Sequence, residues 1–123
     1  MERFFLNYTN HASTAWSQEQ RRAAEAYGHI VDVPFPTIDA CWSEEDISRE
    51  SSRAAEKLLS MRPAAVLCQG EYTYCYELVR HLRAHGIIVL AACSERMVRE
   101  MVDETGRTHR QTIFSFVRFR KYA

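Results

Sequence analysis

Between Ala64 and Thr73 the chain reads Ala-Ala-Val-Leu-Cys-Gln-Gly-Glu-Tyr-Thr, an apolar run without alternation that stops at Gln69, Gly70 and Glu71 and then becomes a helix. Such a run is satisfied only as a strand covered on both faces, as in a parallel sheet between helices. The polar turn then lies at the carboxyl end of the strand. There Gly70 admits close approach of a ligand, and the next helix offers unpaired N–H groups and the positive end of its dipole to an anion. A phosphate is the expected guest. The plainer alternative is a tight βα turn at Gly70, with Glu71 a first-turn acid that complements the dipole.

The same alternation recurs along the chain. Phe4 to Tyr8 reads as a strand, followed by a polar loop from Thr9 to Thr14 and a helix from about Ser17 to Tyr27 that stops at Gly28. His29 to Phe35 reads as a second strand cut by Pro34 and Pro36, and a helix from about Glu44 to Met61 ends before Pro63. The third unit is a strand from Ala64 to Gly70 and a helix from Thr73 to His85. Ile87 to Cys93 is the fourth strand, expected to end in a polar turn at Ser94, Glu95 and Arg96. Met97 to Val102 and Thr108 to Phe119 flank Asp103-Glu104-Thr105-Gly106, which predicts a β-hairpin. The expected fold is one α/β domain over residues 1–123, a Rossmann-like parallel sheet flanked by helices, in strand order 2-1-3-4 with the hairpin at one edge. In that order the loops after Tyr8 and Cys68 meet at a crevice.

A chain of 123 residues suits a single core without staples. Sixteen basic and sixteen acidic residues cancel, which argues against bulk electrostatic coating of long nucleic acid. The charge is nevertheless uneven. Six acids between Asp39 and Glu56 face only Arg49 and Arg53, whereas Arg107, Arg110, Arg118, Arg120 and Lys121 close the chain with no acid among them. Cys41, Cys68, Cys75 and Cys93 show no C-x-x-C spacing and read as reduced, structural residues. No apolar run approaches the roughly eighteen residues needed to cross a bilayer, and no leader is visible, so the expectation is a cytoplasmic protein without a membrane partner.

Around the expected crevice stand Asn7, Thr9, Asn10, His11 and Ser13 from the first loop, Gln69, Gly70, Glu71 and Thr73 from the third, and Ser94, Glu95 and Arg96 from the fourth. The set lacks G-x-G-x-x-G, G-x-x-x-x-G-K-[ST] and G-x-S-x-G, and no His or Cys cluster has metal-ligand spacing. Neither a metal nor a cofactor is expected. His11 is the candidate for proton transfer, because imidazole titrates near neutrality; the alternative is a loop histidine facing solvent. Glu71 and Glu95 are candidates for an acid–base pair, or are helix caps and ion-pair partners. Arg96 and Arg118 are candidate phosphate ligands, the alternative for the basic end being an edge strand protected by charge. Tyr72 and Tyr76 share a helical face that either stacks on a base or packs. Trp16 and Trp42 either stack on bases or fold over the sheet.

From about Val66 to Tyr122 the pattern V-L-x-Q-G-E, a helix, G-I-I-V-L-A-A-x-S-E-R, a hairpin with D-E-T-G, and F-x-F-V-R-F-R-K-Y resembles the small stand-alone CARF-type (CRISPR-associated Rossmann fold) proteins of type III CRISPR systems. The resemblance implies a homodimer that binds cyclic oligoadenylate second messengers across its two-fold axis. It also implies metal-independent ring cleavage, in which a ribose 2'-hydroxyl attacks its own phosphodiester. On it, Gln69, Gly70, Glu71 and Thr73 line the ring, Asn7 to His11 approach a ribose or phosphate, and Arg96 offsets charge. Two other expectations remain open: a non-catalytic cyclic-nucleotide sensor or sponge, and a small nucleoside- or nucleotide-processing enzyme with Glu71 as nucleophile.

Overall fold

The alternation of apolar runs and amphipathic segments resolves, in a computed structural model that describes residues 2–123, into five strands and three α-helices. In chain order these are β1 (Phe4–Tyr8), α1 (Gln18–Glu25), β2 (His29–Asp32), α2 (Glu44–Ser60), β3 (Pro63–Cys68), α3 (Tyr72–Ala84), β4 (Val89–Val102) and β5 (Thr108–Lys121). The sheet order is β2-β1-β3-β4-β5, the first four parallel and β5 antiparallel to β4, as the sequence predicts. No helix among the described residues is long and apolar enough to cross a membrane.

Local chemistry starts and stops each helix. Ser17 accepts the Gln20 N–H at the start of α1, and Ser43 and Asp46 form a reciprocal capping box on α2. Glu71 caps α3 by accepting the Tyr74 N–H. The two sheet faces bury different clusters. One joins Phe5, Ala65, Leu67, Leu90 and Phe119 to Ala24 of α1; the other joins Leu6, Val66 and Cys68 to Leu58 of α2 and Leu78 and Leu82 of α3. Each fully buried Leu or Phe contributes about 1.5–3 kcal/mol, so these faces fix which helix lies where. All four cysteines are free, and Cys68 and Cys75 are buried as small hydrophobes.

Three expectations about strand ends are corrected. β2 stops at Asp32 rather than Phe35: Val33 still donates to the Asn7 carbonyl, but Pro34 has no N–H to continue the ladder. β3 runs from Pro63 to Cys68, so Gln69 and Gly70 lie beyond it. Most consequentially, Ser94, Glu95 and Arg96 do not form a turn after the fourth strand. They lie within β4, paired with Phe116, Ser115 and Phe114, so the fourth strand and the first arm of the hairpin are one continuous element. A bulge replaces the expected turn: Cys93 pairs with Arg118 and Ser94 with Phe116, which leaves Val117 without a partner and adds local twist.

The hairpin turn is where the sequence places it. Asp103 holds it, its Oδ1 accepting from the Thr105 N–H and hydroxyl and from the Arg107 N–H while its Oδ2 meets His109 Nε2 at 2.6 Å; Gly106 takes the left-handed φ of 82°. These bonds, the Thr105 hydroxyl foremost and then His109, hold the Asp103 carboxyl down to about 2. A carboxylate depressed on folding stabilises above its ordinary pKa of about 3.9, and that contribution is lost as the pH falls through its folded value. A carboxyl-carbon NMR titration is therefore expected to place Asp103 near 2, and Thr105→Ala to move it toward the ordinary value. An ordinary midpoint in the unaltered protein would contradict this account of the turn.

Candidate functional site

Because β1 and β3 are neighbours, the chain leaves β1 over one sheet face through α1 and enters β3 over the other through α2, which opens a crevice between their carboxyl ends. Gln69 N–H still reaches the Tyr8 carbonyl at 3.4 Å, drawing the two loops together. The crevice has a volume of about 540 Å³, within the range of small-molecule sites. Thr9, Asn10 and His11 line it from the first loop, Trp16 and Gln20 from the start of α1, and Gln69 and Gly70 from the third loop. Ser94, Phe114 and Phe116 close it from the base of the hairpin. Among the described residues no carboxylate lines it, and His11 is the one ionisable side chain that does.

Asn7 builds the first loop rather than facing the crevice. It is 2% exposed and stands at the end of β1, opposite Asp32 in the parallel register. Its Nδ2 donates to the His11 carbonyl at 2.8 Å and to Asp32 Oδ1 at 2.9 Å, and its Oδ1 accepts from the Thr9 hydroxyl at 2.9 Å. Asp32 in turn accepts from the N–H and hydroxyl of Ser13. The backbone around Asn10 and His11 is thus bolted to two strands, and both side chains stay exposed. Asp32 belongs to no recognisable motif, although the strand order 2-1 sets it beside Asn7.

Gln69 is oriented from the other side. Pairing between β3 and β4 ends at Leu67 and Leu90, and the Gln69 side-chain oxygen takes over by accepting the Ala92 N–H at 2.8 Å. Its amide NH2 then has no protein partner among the described residues and is available to a ligand. Gly70 has a different reason from the expected one: a Cβ built there would lie 2.2 Å from the Phe35 ring, which packs against Tyr8 and Tyr74. Its close neighbour is Phe35. Gly70→Ala is expected to lower stability by about 1–3 kcal/mol through overpacking, measured by urea unfolding, and a second change of Phe35→Leu to recover part of it. An unchanged midpoint in the single variant would contradict the packing.

The remaining candidates are divided. Arg96 pairs with Phe114 and so shares the crevice side of the hairpin with Ser94 and Phe116, whereas Glu95 lies on the opposite side. Arg118 is also on that opposite side and is exposed, its Nε donating to the Phe119 carbonyl at 3.2 Å. Glu71 and Thr73 line a separate cavity beside Trp42 and Tyr76. The Thr73 hydroxyl and the Tyr74 N–H hold the Glu71 carboxyl below its ordinary pKa, which suits a helix cap. Tyr72 and Tyr76 share a face as expected but are neither buried nor in the crevice, while Tyr74 between them is buried with its hydroxyl 2.7 Å from that of Tyr8. Phe114, Phe116 and Gln20 were missed as lining residues; the alternation of Phe114 and Phe116 was the available signal.

Helices on both faces of a largely parallel sheet, with a polar and aromatic crevice at its topological switch point, define a doubly wound α/β protein. The chain belongs to the MJ1673 family, described as an uncharacterized protein family, whose profile matches residues 3–120. No curated protein and no solved structure matches it significantly.

Proposed function

We propose that the crevice binds a cyclic oligoadenylate and that the protein linearises it, the activity implied by the resemblance to small CARF-type proteins. The observation that supports this reading best is the lining itself, in which amide and hydroxyl groups and three aromatic rings meet at the switch point with no carboxylate to repel phosphate. Asn and Gln amides match the donor and acceptor edge of adenine, and Trp16, Phe114 and Phe116 offer stacking surfaces. Arg96, on the crevice side of the hairpin, supplies the positive charge that a phosphodiester requires.

In this reading the ring is held so that one ribose 2'-oxygen stands in line with the adjacent phosphorus. The 2'-oxygen bonds to phosphorus, the bond to the 5'-oxygen breaks, and a 2',3'-cyclic phosphate and a 5'-hydroxyl result. His11 accepts the 2'-hydroxyl proton, solvent protonates the 5'-oxygen, and Arg96 offsets the charge that develops on the phosphate. One observation favours a second reading, a non-catalytic sensor or sponge: His11 alone among the described lining residues can titrate. The nucleoside-processing alternative loses its geometric basis, because its nucleophile, Glu71, lines another cavity.

The test is incubation with cyclic tetra-adenylate and cyclic hexa-adenylate in EDTA, with the products resolved by mass. Linear fragments ending in 2',3'-cyclic phosphate, formed at least about tenfold more slowly by His11→Ala with ring retention unchanged, are the expected result. Intact rings that stay bound would replace cleavage with the sensor reading. Rings neither cut nor retained would remove both.

A further inference from the structure

Among the described residues, β4 pairs beyond Leu90 with no strand but β5, so from Ser94 outward the hairpin is a two-stranded ribbon. At about 3.3 Å per residue, Ser94 to Val102 reaches about 30 Å from the sheet. A ribbon of this kind is marginal in water on its own. The face that carries Glu95, Met97, Arg99 and Met101, opposite the crevice, sets Arg99 between two exposed methionines: Met97 and Met101 are 51% and 52% exposed, and Ile113 pairs with Met97. Arg99 on this face has no acidic partner within salt-bridge distance among the described residues, whereas Glu100 and Asp103 are engaged by Arg110 and His109.

The chain also carries the complement. Between the loop leading into α2 and the first turns of α3 lies a groove of about 880 Å³. Ile38, Trp42 and Ile47 form its apolar wall, joined by Tyr72 and Tyr76, which are 91% and 64% exposed. Asp39, Glu44, Glu71 and Glu77 edge it. Glu77 is engaged by Arg80, whose guanidinium lies 5.6 Å from the centre of the Tyr76 ring. That leaves Asp39 and Glu44, at the α2 end, as acids without a basic partner within salt-bridge distance among the described residues. The N-termini of α2 and α3 and the base of the arm all lie at the carboxyl edge of the parallel strands.

We infer that the arm of one copy seats its Met97, Arg99 and Met101 face in the acidic, aromatic groove of a second copy, reciprocally about a two-fold axis. Methionines adapt to an aromatic wall, Arg99 meets Asp39 and Glu44, and the two-fold arrangement covers both arms and both grooves at once. This names a surface for the homodimer that the resemblance to CARF-type proteins implies, and it rests on residues away from the crevice.

Light scattering and sedimentation equilibrium on the full chain test it. A dimer in the low-micromolar range is expected, converted to a monomer by Met97→Asp with Met101→Asp and weakened at least about tenfold by Arg99→Glu alone. The reversal at this exposed position leaves the circular dichroism spectrum unchanged, and adding Asp39→Arg and Glu44→Arg restores the dimer. A monomeric wild type overturns the inference, even if its arm binds lipid vesicles or another protein. So does a dimer indifferent to both arm variants, since the copies would then meet elsewhere. Ring retention is measured on the same samples: a dimer sensitive to Arg99→Glu that fails to retain the ring keeps this interface and removes the crevice reading.

Discussion

Phe5→Ala is expected to cost about 3–5 kcal/mol, the largest loss from any single change at the site's foundations. Phe5 is fully buried in β1, and its ring meets Phe119 at 5.2 Å, Tyr27 at 6.0 Å and Trp16 at 6.1 Å between centroids. These neighbours come from β5, from the end of α1 and from the loop before it, so no one element can move to fill the space. The cost therefore falls toward the upper part of the range. It also reaches the crevice, because Trp16 lines it and stands edge-on to Phe5 at 88°. Phe5→Leu, which keeps most of the volume, is expected to cost less than about half as much. Urea unfolding measures both, and equal midpoints for Phe5→Ala and the wild type would contradict this packing.

Asn7→Ala is expected to cost about 1–3 kcal/mol and to weaken ligand binding in the protein that remains folded. The amide holds the His11 carbonyl, the Asp32 carboxylate and the Thr9 hydroxyl together, and alanine leaves the carbonyl without this donor while the loop loses its anchor to β1. Asn7→Asp separates hydrogen bonding from volume. It removes both Nδ2 donors and sets a second carboxylate where the amide stood 2.9 Å from Asp32, so at neutral pH it is expected to be worse than alanine. Protonation relieves that repulsion, so the deficit of Asn7→Asp relative to Asn7→Ala should shrink as the pH falls. Equal stability of the two variants at all pH values would show that the amide does not bridge these groups.

The order of elements was legible because each apolar run is bounded by helix caps, glycine or proline, and strand order 2-1-3-4 follows from right-handed crossovers. Placement of His11 and Gln69 at one crevice followed from that order, whereas Ser94 was expected there as part of a turn that is in fact continuous strand. What stayed hidden depends on contacts between distant segments. Gly70 looks like an invitation to a ligand until Phe35, thirty-five residues earlier, is found against it. The segment Ser94-Glu95-Arg96 looked like a turn because it is polar. It contains no Gly, Pro, Asn or Asp, and a ribbon wet on both faces has the same composition as a loop. Glu71 was legible as a helix cap, and the structure assigns its carboxylate that work.

The central claim, that the crevice beneath the hairpin holds an adenine-bearing ring, is tested most directly by calorimetric titration of cyclic tetra-adenylate into the wild type and Phe114→Ala. Phe114 is 70% exposed and lines the crevice, so its truncation leaves the core intact. Base–aromatic stacking of about 1–3 kcal/mol predicts that the ring binds the wild type and binds Phe114→Ala roughly fivefold or more weakly. Equal affinity in the two proteins, or no heat in the wild type, would contradict it.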